Sequence, residues 1–267
     1  MAPFWLKVKT IISQCRSLGY FYTMIFRPDG VKSGWKLLRD ILRIFGSLAQ
    51  ALMILCLPVL LLTVSISWAV NSQWLYEYGF EKYHVSQVTG LADIELEKAA
   101  TGLIRYFNSS EDEISLRLVK DNESFELFNE REVAHLRDVK ELFRLNYWLL
   151  LGTLVYVLGY AGGILFRHKA PRRLAWGLAG GGGLTLGLML VLGLAMLLNF
   201  DRLFWQFHLI SFSNDFWQLD PTRDYLIMLF PGGFWFDTAI SIALATAGMA
   251  VILCGVGGYL IRRMAMH

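Results

Sequence analysis

Apolar residues fall in four long blocks, residues 44–70, 148–166, 174–200 and 237–261, without the one-sided spacing of a soluble helix. A helix needs about 20 apolar residues to cross the hydrocarbon core, and each block supplies them. Between the blocks the pattern changes. Leu96, Ala100, Leu103 and Phe107 recur at helical spacing and predict a helix over residues 93–107. Ile114, Leu116 and Leu118 alternate with polar neighbours, Asp121 and Asn122 offer a turn, and Phe125 and Leu127 alternate again, which predicts a hairpin. Asn129 followed by Glu132 has the spacing of a capping box and marks a helix start. No glycine or proline interrupts residues 130–151, so that helix should run on into the second span. Upstream of the first span, Trp35, Leu38, Leu42 and Phe45 share one helical face, with Lys36, Arg39, Asp40 and Arg43 on the other. That stretch reads either as an interfacial helix or as an extension of span one. The fold class is therefore an all-α membrane protein, four transmembrane helices with a small extracytoplasmic α+β cap.

Charge gives the blocks an orientation, because lysine and arginine near helix ends resist translocation. Residues 1–43 form a basic, amphipathic extension, residues 167–173 are a basic loop without an acid, and the tail 262–267 opens on Arg262 and Arg263. These three belong on the cytoplasmic side. Residues 71–147 carry fifteen acidic against nine basic side chains, and residues 201–236 are also slightly acidic. Those two segments, a cap running into span two and an aromatic loop, face outward. The net charge of +3 thus combines a basic inner side with an acidic outer one, which argues against a nucleic-acid partner. Roughly forty residues precede the first span and no clear small-residue cleavage site follows it, so span one reads as an uncleaved anchor.

Cys15 precedes the first span and Cys56 and Cys254 fall within spans, which leaves the cap without a thiol for a disulfide framework, a zinc site or a nucleophile. Span three holds Gly177, Gly180 to Gly183, Gly187 and Gly193. The spacings Gly177/Gly181 and Gly183/Gly187, with Gly159/Gly163 in span two, predict close helix approach, since no preceding strand supports a phosphate-binding loop.

Candidate chemistry concentrates at the outer boundary. His135 lies in FNEREVAHLRD and His208 in FWQFHLISFSND, each where a spanning helix meets its outer segment. A histidine pair at one depth suits general acid–base work near neutral pH, and the bland alternative is a cap histidine satisfied by Glu132, Asp138 or Asp215. A metal site would recruit Glu132 or Asp215, yet no close ligand spacing supports one. Between Phe204 and Phe236 a third of the residues are aromatic, interleaved with His208, Asn214, Asp215, Asp220 and Asp224. An interfacial belt explains the aromatics alone, whereas an aromatic chamber with a few polar groups suits lipid handling. With no GxSxG elbow and no cap cysteine, any acyl transfer must draw its nucleophile from the substrate.

The segments YGFEKYHVSQVTG, FNEREVAHLRDVK and FHLISFSNDFWQLDPTRDYLIMLFPGGFWFD, with four spans and an outward cap, resemble the lipoprotein intramolecular transacylase (Lit) family. The resemblance covers roughly residues 44–261 and is most specific in the two histidine motifs. It implies catalytic roles for His135 and His208, no cofactor, and a location in the bacterial cell membrane with the site facing outward. The implied partners are a diacylated lipoprotein and membrane lipids. The implied reaction moves the sn-2 acyl chain of the diacylglyceryl group to the N-terminal cysteine amine, giving a lyso-form lipoprotein. Asn129, Arg131, Asn214 and Asp215 would orient the substrate, Asn129 alternatively serving only as a helix cap, and Trp205, Phe212, Trp217 and Trp235 would keep water from the ester. Two other classes compete. A lipid hydrolase would use the same histidines on water, and a transporter or scaffold would use neither; the lack of ionisable residues at mid-span argues against transport. The pattern leaves the oligomeric state open.

Overall fold

A computed structural model describes residues 28–167 and 170–266, with side chains in the first helix described from Arg39 onward. Cys15, the basic residues before Pro28, the side chains of Lys32, Trp35, Lys36 and Leu38, and His168, Lys169 and His267 lie outside the described residues. The chain divides into two compact units, Met1–Ala51 and Leu52–His267, and the second carries the architecture below.

Helix α1 spans Pro28–Val70 without interruption, so residues 35–45 are an extension of the first spanning helix rather than a separate one. Three cap helices follow: α2 (Gln73–Lys82), α3 (Val85–Thr89) and α4 (Asp93–Phe107). The hairpin pairs β1 (Arg117–Lys120) with β2 (Glu123–Glu126) in antiparallel register, Lys120 opposite Glu123. Its two turn residues are Asp121 and Asn122, with φ of 54° and 65°. Consecutive left-handed residues are what a two-residue turn matching strand twist demands, and short Asx side chains tolerate that region best. Helix α5 (Glu130–Gly162) begins in the cap and continues through the second span, ending in a π-helical turn at Gly163–Arg167. Helix α6 spans Pro171–Ser211, α7 Tyr225–Leu229, and α8 Gly232–Ala265. Among the described residues, helices α1, α5, α6 and α8 contain the four stretches long and apolar enough to cross a membrane.

The cap has a core of its own. Leu96, Ala99, Ala100 and Leu103 of α4 are buried with Leu118 and Leu127 of the hairpin, Leu136 of α5 and Leu229 of α7. Glu95 ties α4 to β1 by accepting from the Val119 amide at 3.0 Å. Lys140 of α5 is buried beneath the segment that follows α4, donating to Ser109 Oγ at 3.0 Å and the Glu111 carbonyl at 2.6 Å, with its ammonium 4.0 Å from the Tyr106 ring centroid. A buried cation survives here because acceptors and a π-face replace water. Burial lowers its pKa from the usual lysine range.

Between spans, small residues set the helix separation of α6 and α8. A methyl on Gly182 would lie 2.9 Å from the Ala250 carbonyl oxygen and 2.7 Å from Cys254 Sγ, and one on Gly257 2.7 Å from the Ala175 carbonyl oxygen. Gly181 faces Leu57 of α1 just as tightly, and Gly177 meets Met53. The expectation for Gly183/Gly187 and Gly159/Gly163 is corrected: nothing among the described residues lies within 4 Å of a side chain placed on any of the four. Gly183 and Gly187 point away from the seam with α8, because residues 175, 179 and 182 occupy the face of α6 that meets it.

Candidate functional site

Helix α5 starts where its capping chemistry requires. The Asn129 side chain accepts from the amides of Arg131 at 3.0 Å and Glu132 at 3.1 Å, and Glu132 Oε2 accepts in return from the Asn129 amide at 2.8 Å. The other Glu132 oxygen accepts from the Leu226 amide at 2.6 Å, and Asn129 Nδ2 donates to Asp224 Oδ1 at 2.9 Å. One capping box therefore also fixes the start of α7 on α5. Burial raises the Glu132 pKa against these bonds, which favour the carboxylate.

From this cap, Arg131, His135 and Asp138 follow at i, i+4 and i+7, a single stripe along α5. The segment after α6 lies across that stripe and is tied at both ends. Arg131 Nη2 donates to the Asp215 carbonyl at 2.6 Å, and Asn214 Nδ2 donates to Asp138 Oδ2 at 2.8 Å. His135 lies between the two ties, buried, with the Phe212 ring edge-on at 5.1 Å.

His208 arrives from the other side on α6, and one residue makes this possible. Asn199 is extended (φ −163°, ψ 85°) inside the helix, and its Oδ1 accepts from the Arg202 amide at 3.0 Å, restarting the helix as an N-cap does. Residues 200–211 are thus a separately capped segment on top of the apolar stretch, carrying Phe204 and His208 one turn apart. His208 is buried, and its Nδ1 lies 2.7 Å from the Phe204 carbonyl oxygen. A carbonyl only accepts, so Nδ1 holds the proton and Nε2 of the neutral ring presents a lone pair. Trp217 and Phe204 each lie against His208, at 4.8 and 4.4 Å, and the two imidazole centroids are 6.1 Å apart.

Burial favours the neutral form of both imidazoles. Burial, reinforced by the neighbouring His208 and opposed by Asp138, lowers the His135 pKa to about 4. Burial also lowers that of His208, against the bond to Phe204. Two buried nitrogens on the α5 stripe, Arg131 Nε and His135 Nδ1, have no hydrogen-bond partner among the described residues.

Of the residues singled out in the sequence, His135, His208, Arg131, Asn214, Asp215, Phe212 and Trp217 converge here. Trp205 packs on the far side of Trp217 at 4.6 Å, and Trp235 stands behind Phe204 at 5.9 Å, so these two back the site. Asn129 caps α5 and reaches Asp224, nearly two turns above His135. Glu132 and Asp138, the proposed satisfiers of a bland histidine, bond instead to backbone amides and to Asn214. Asp215 offers its carbonyl to Arg131. The role of Asp138 in holding the crossing segment escaped sequence reading, although its i+7 spacing from Arg131 carried the signal. The Phe204 carbonyl was hidden because residues 201–236 read as loop.

Four helices of membrane-spanning length under a small α+β cap, with an imidazole pair walled by aromatics, define a multi-pass membrane protein with a capped boundary site. The model of the family described as lipoprotein intramolecular transacylase Lit matches residues 51–235, and the chain belongs to that acyltransferase family. The fold agrees with the in meso structure of the lipoprotein intramolecular transacylase Lit from Bacillus cereus, with a TM-score of 0.72 at 22% identity over 83% of this chain and 98% of that one. Structures of the same Bacillus cereus protein with a histidine replaced by arginine or by alanine give TM-scores of 0.69 and 0.70 at 22% and 21% identity, each over 85% of this chain and 98% or 99% of the other. An uncharacterized protein of Aquifex aeolicus is 29% identical over 133 residues, 49% of this chain. That match spans 57% of the Aquifex protein's own length.

Proposed function

We propose that this protein transfers the sn-2 acyl chain of a diacylglyceryl-cysteine lipoprotein to the cysteine α-amine, with His135 and His208 as the catalytic pair, on the outer face of a bacterial cell membrane. The observation that carries the reading is the pair itself: two buried, neutral imidazoles 6.1 Å apart in an aromatic chamber, one with its tautomer set by a backbone carbonyl.

Nucleophile and ester belong to one molecule. Attack closes an eight-membered ring of amine N, Cα, Cβ, S, two glyceryl carbons, the ester oxygen and the carbonyl carbon, so the protein's work is to fold the substrate and manage one proton. The free amine forms the C–N bond as the carbonyl π pair moves to oxygen. His208 Nε2 takes one amine proton. When the carbonyl re-forms, the bond to the sn-2 glyceryl oxygen breaks and the His208 imidazolium returns that proton to this oxygen, which the neutral His135 N–H holds by a hydrogen bond. One proton moves from nitrogen to oxygen and nothing else is consumed. Asn129, Arg131, Asn214 and Asp215 fix the walls that orient the substrate, and Trp205, Phe212, Trp217 and Trp235 keep water from the ester.

The test is to incubate the purified protein with a diacylated lipopeptide and locate the acyl chains by fragmentation mass spectrometry. Transfer leaves the mass unchanged and blocks the amine, whereas hydrolysis releases fatty acid and leaves the amine free. His135→Ala and His208→Ala should insert and fold yet lose turnover; full turnover in both variants refutes the assignment.

A further inference from the structure

The histidine pair supplies no fixed positive charge, although the tetrahedral intermediate of the proposed reaction places a negative charge on the former carbonyl oxygen. The cation on the same stripe is Arg131, one helical turn from His135. Its Nη2 is spent on the Asp215 carbonyl at 2.6 Å, which fixes the guanidinium across the gap between α5 and the segment that packs on His208. Its Nε–H is buried and has no acceptor among the described residues. Buried donors are almost always paired, and a lone one at a site calls for a ligand atom to complete it. His135 Nδ1, on the same stripe, is also buried and without a partner among the described residues. Two unpartnered buried nitrogens thus lie one turn apart on the stripe, one of them on a tethered guanidinium, and both are available to a substrate oxygen.

We infer that Arg131 is a further catalytic residue, its Nε–H receiving the ester carbonyl oxygen of the acyl substrate as that oxygen becomes the oxyanion. This rests on the acyl-transfer reading above and names a role that reading leaves unfilled. The electron pairs balance through the step: as the amine pair forms the C–N bond, the carbonyl π pair becomes the oxyanion pair held by Arg131, and it re-forms the carbonyl as the glyceryl C–O pair leaves on the glyceryl oxygen. Arginine suits the position because its charge persists at every working pH and its fork can keep one bond to Asp215 while offering another. Burial disfavours a resting charge on either histidine, so Arg131 is the cation already in place when the oxyanion forms.

The experiment measures kcat and KM for a diacylated lipopeptide with the full chain in detergent or nanodiscs. Removing one such donor costs about 10²–10³-fold in kcat where it stabilises an oxyanion. Arg131→Ala should show that loss with KM within a few-fold of wild type, and guanidinium chloride at millimolar, non-denaturing concentration should restore at least about tenfold of it. Arg131→Lys should fall between the two, keeping charge without the fork. A change confined to KM, a kcat close to wild type, or a loss of kcat that guanidinium leaves untouched overturns the role, the last assigning Arg131 to the Asp215 tie alone. If Arg131→Ala fails to fold, Arg131→Lys decides: reduced kcat at unchanged KM supports the role, and wild-type kcat overturns it. Wild-type protein that forms no N-acyl product overturns the acyl-transfer reading itself, an outcome distinct from active wild type with indifferent Arg131 variants.

Discussion

Acid should loosen this protein through His135 in particular, and the size of the effect follows from its burial. An unperturbed histidine titrates near 6.5, whereas burial beside His208 and Phe212 lowers His135 to about 4. The sign follows from proton binding. Between these two values the unfolded chain holds a proton that the folded chain refuses, so stability rises with pH across the window and is lost as pH falls from 6.5 toward 4. At about 1.4 kcal/mol for each tenfold in an equilibrium constant, the cost between pH 7 and pH 4 is about 3 kcal/mol. For a chain of this length each kcal/mol moves the midpoint by about 2–4 °C, which gives about 6–12 °C in all. Thermal unfolding in detergent at a fixed scan rate, at steps from pH 7 to pH 4, measures it. Carboxylates titrate in the same range, so the comparison is with His135→Gln, which cannot take up the proton: the wild type should lose about 6–12 °C more than the variant. Equal losses within about a degree would refute the argument, because they would mean that His135 is solvated or paired in the folded state.

Adjacent glycines in α6 should respond oppositely to alanine. Gly182→Ala meets the Ala250 backbone and Cys254, an overpacking cost of about 1–3 kcal/mol, whereas Gly183→Ala meets nothing and gains about 1 kcal/mol of helix propensity; unfolding midpoints of both in one detergent should bracket the wild type. Glu132→Gln puts an amide N–H against the amide of either Asn129 or Leu226 and should cost about 1–3 kcal/mol, read as a lower midpoint with the greatest loss of amide protection at residues 129–132 and 225–229 by hydrogen exchange. Ser124→Cys in the exposed hairpin should react with a membrane-impermeant maleimide on intact cells, and labelling only after lysis would reverse the proposed orientation.

What could be read from the chain followed the strength of local signals. The capping box at Asn129 and Glu132, the paired left-handed residues Asp121 and Asn122, and the face of α4 depend on neighbours within four residues, and all three occur as read. The histidines stood out because each interrupts an otherwise apolar or acidic boundary segment. Long-range ties left no such trace. Asn214 to Asp138 and Glu132 to the Leu226 amide join residues 76 and 94 positions apart, and neither end shows unusual composition. The glycine error has the same origin: spacing alone says that Gly183 and Gly187 share a face, while which face meets α8 is decided by Ala175, Ala179 and Gly182 packing on Ala250, Cys254 and Gly257. The break at Asn199 was legible in principle, since asparagine is a favoured N-cap and Asp201 follows it in the first turn, but the long apolar run before it concealed it.

In the proposed reaction a buried histidine is a weak base, and that weakness decides when the proton can move. The cysteine α-amine has a pKa of about 7.7–8, far above His135 and above a lowered His208, so neither imidazole can strip the ammonium efficiently before attack. The amine must therefore arrive free, and His208 acts only once C–N bond formation has made the nitrogen acidic enough to yield its proton. Such timing tolerates a weak base and gains a dry site. An exposed histidine with an ordinary pKa would be the stronger base, but the water that solvated it would also compete with the amine for the ester. The aromatic shell of Phe204, Phe212 and Trp217 gives up basicity and keeps water out, and an intramolecular nucleophile held within one ring closure can accept that exchange.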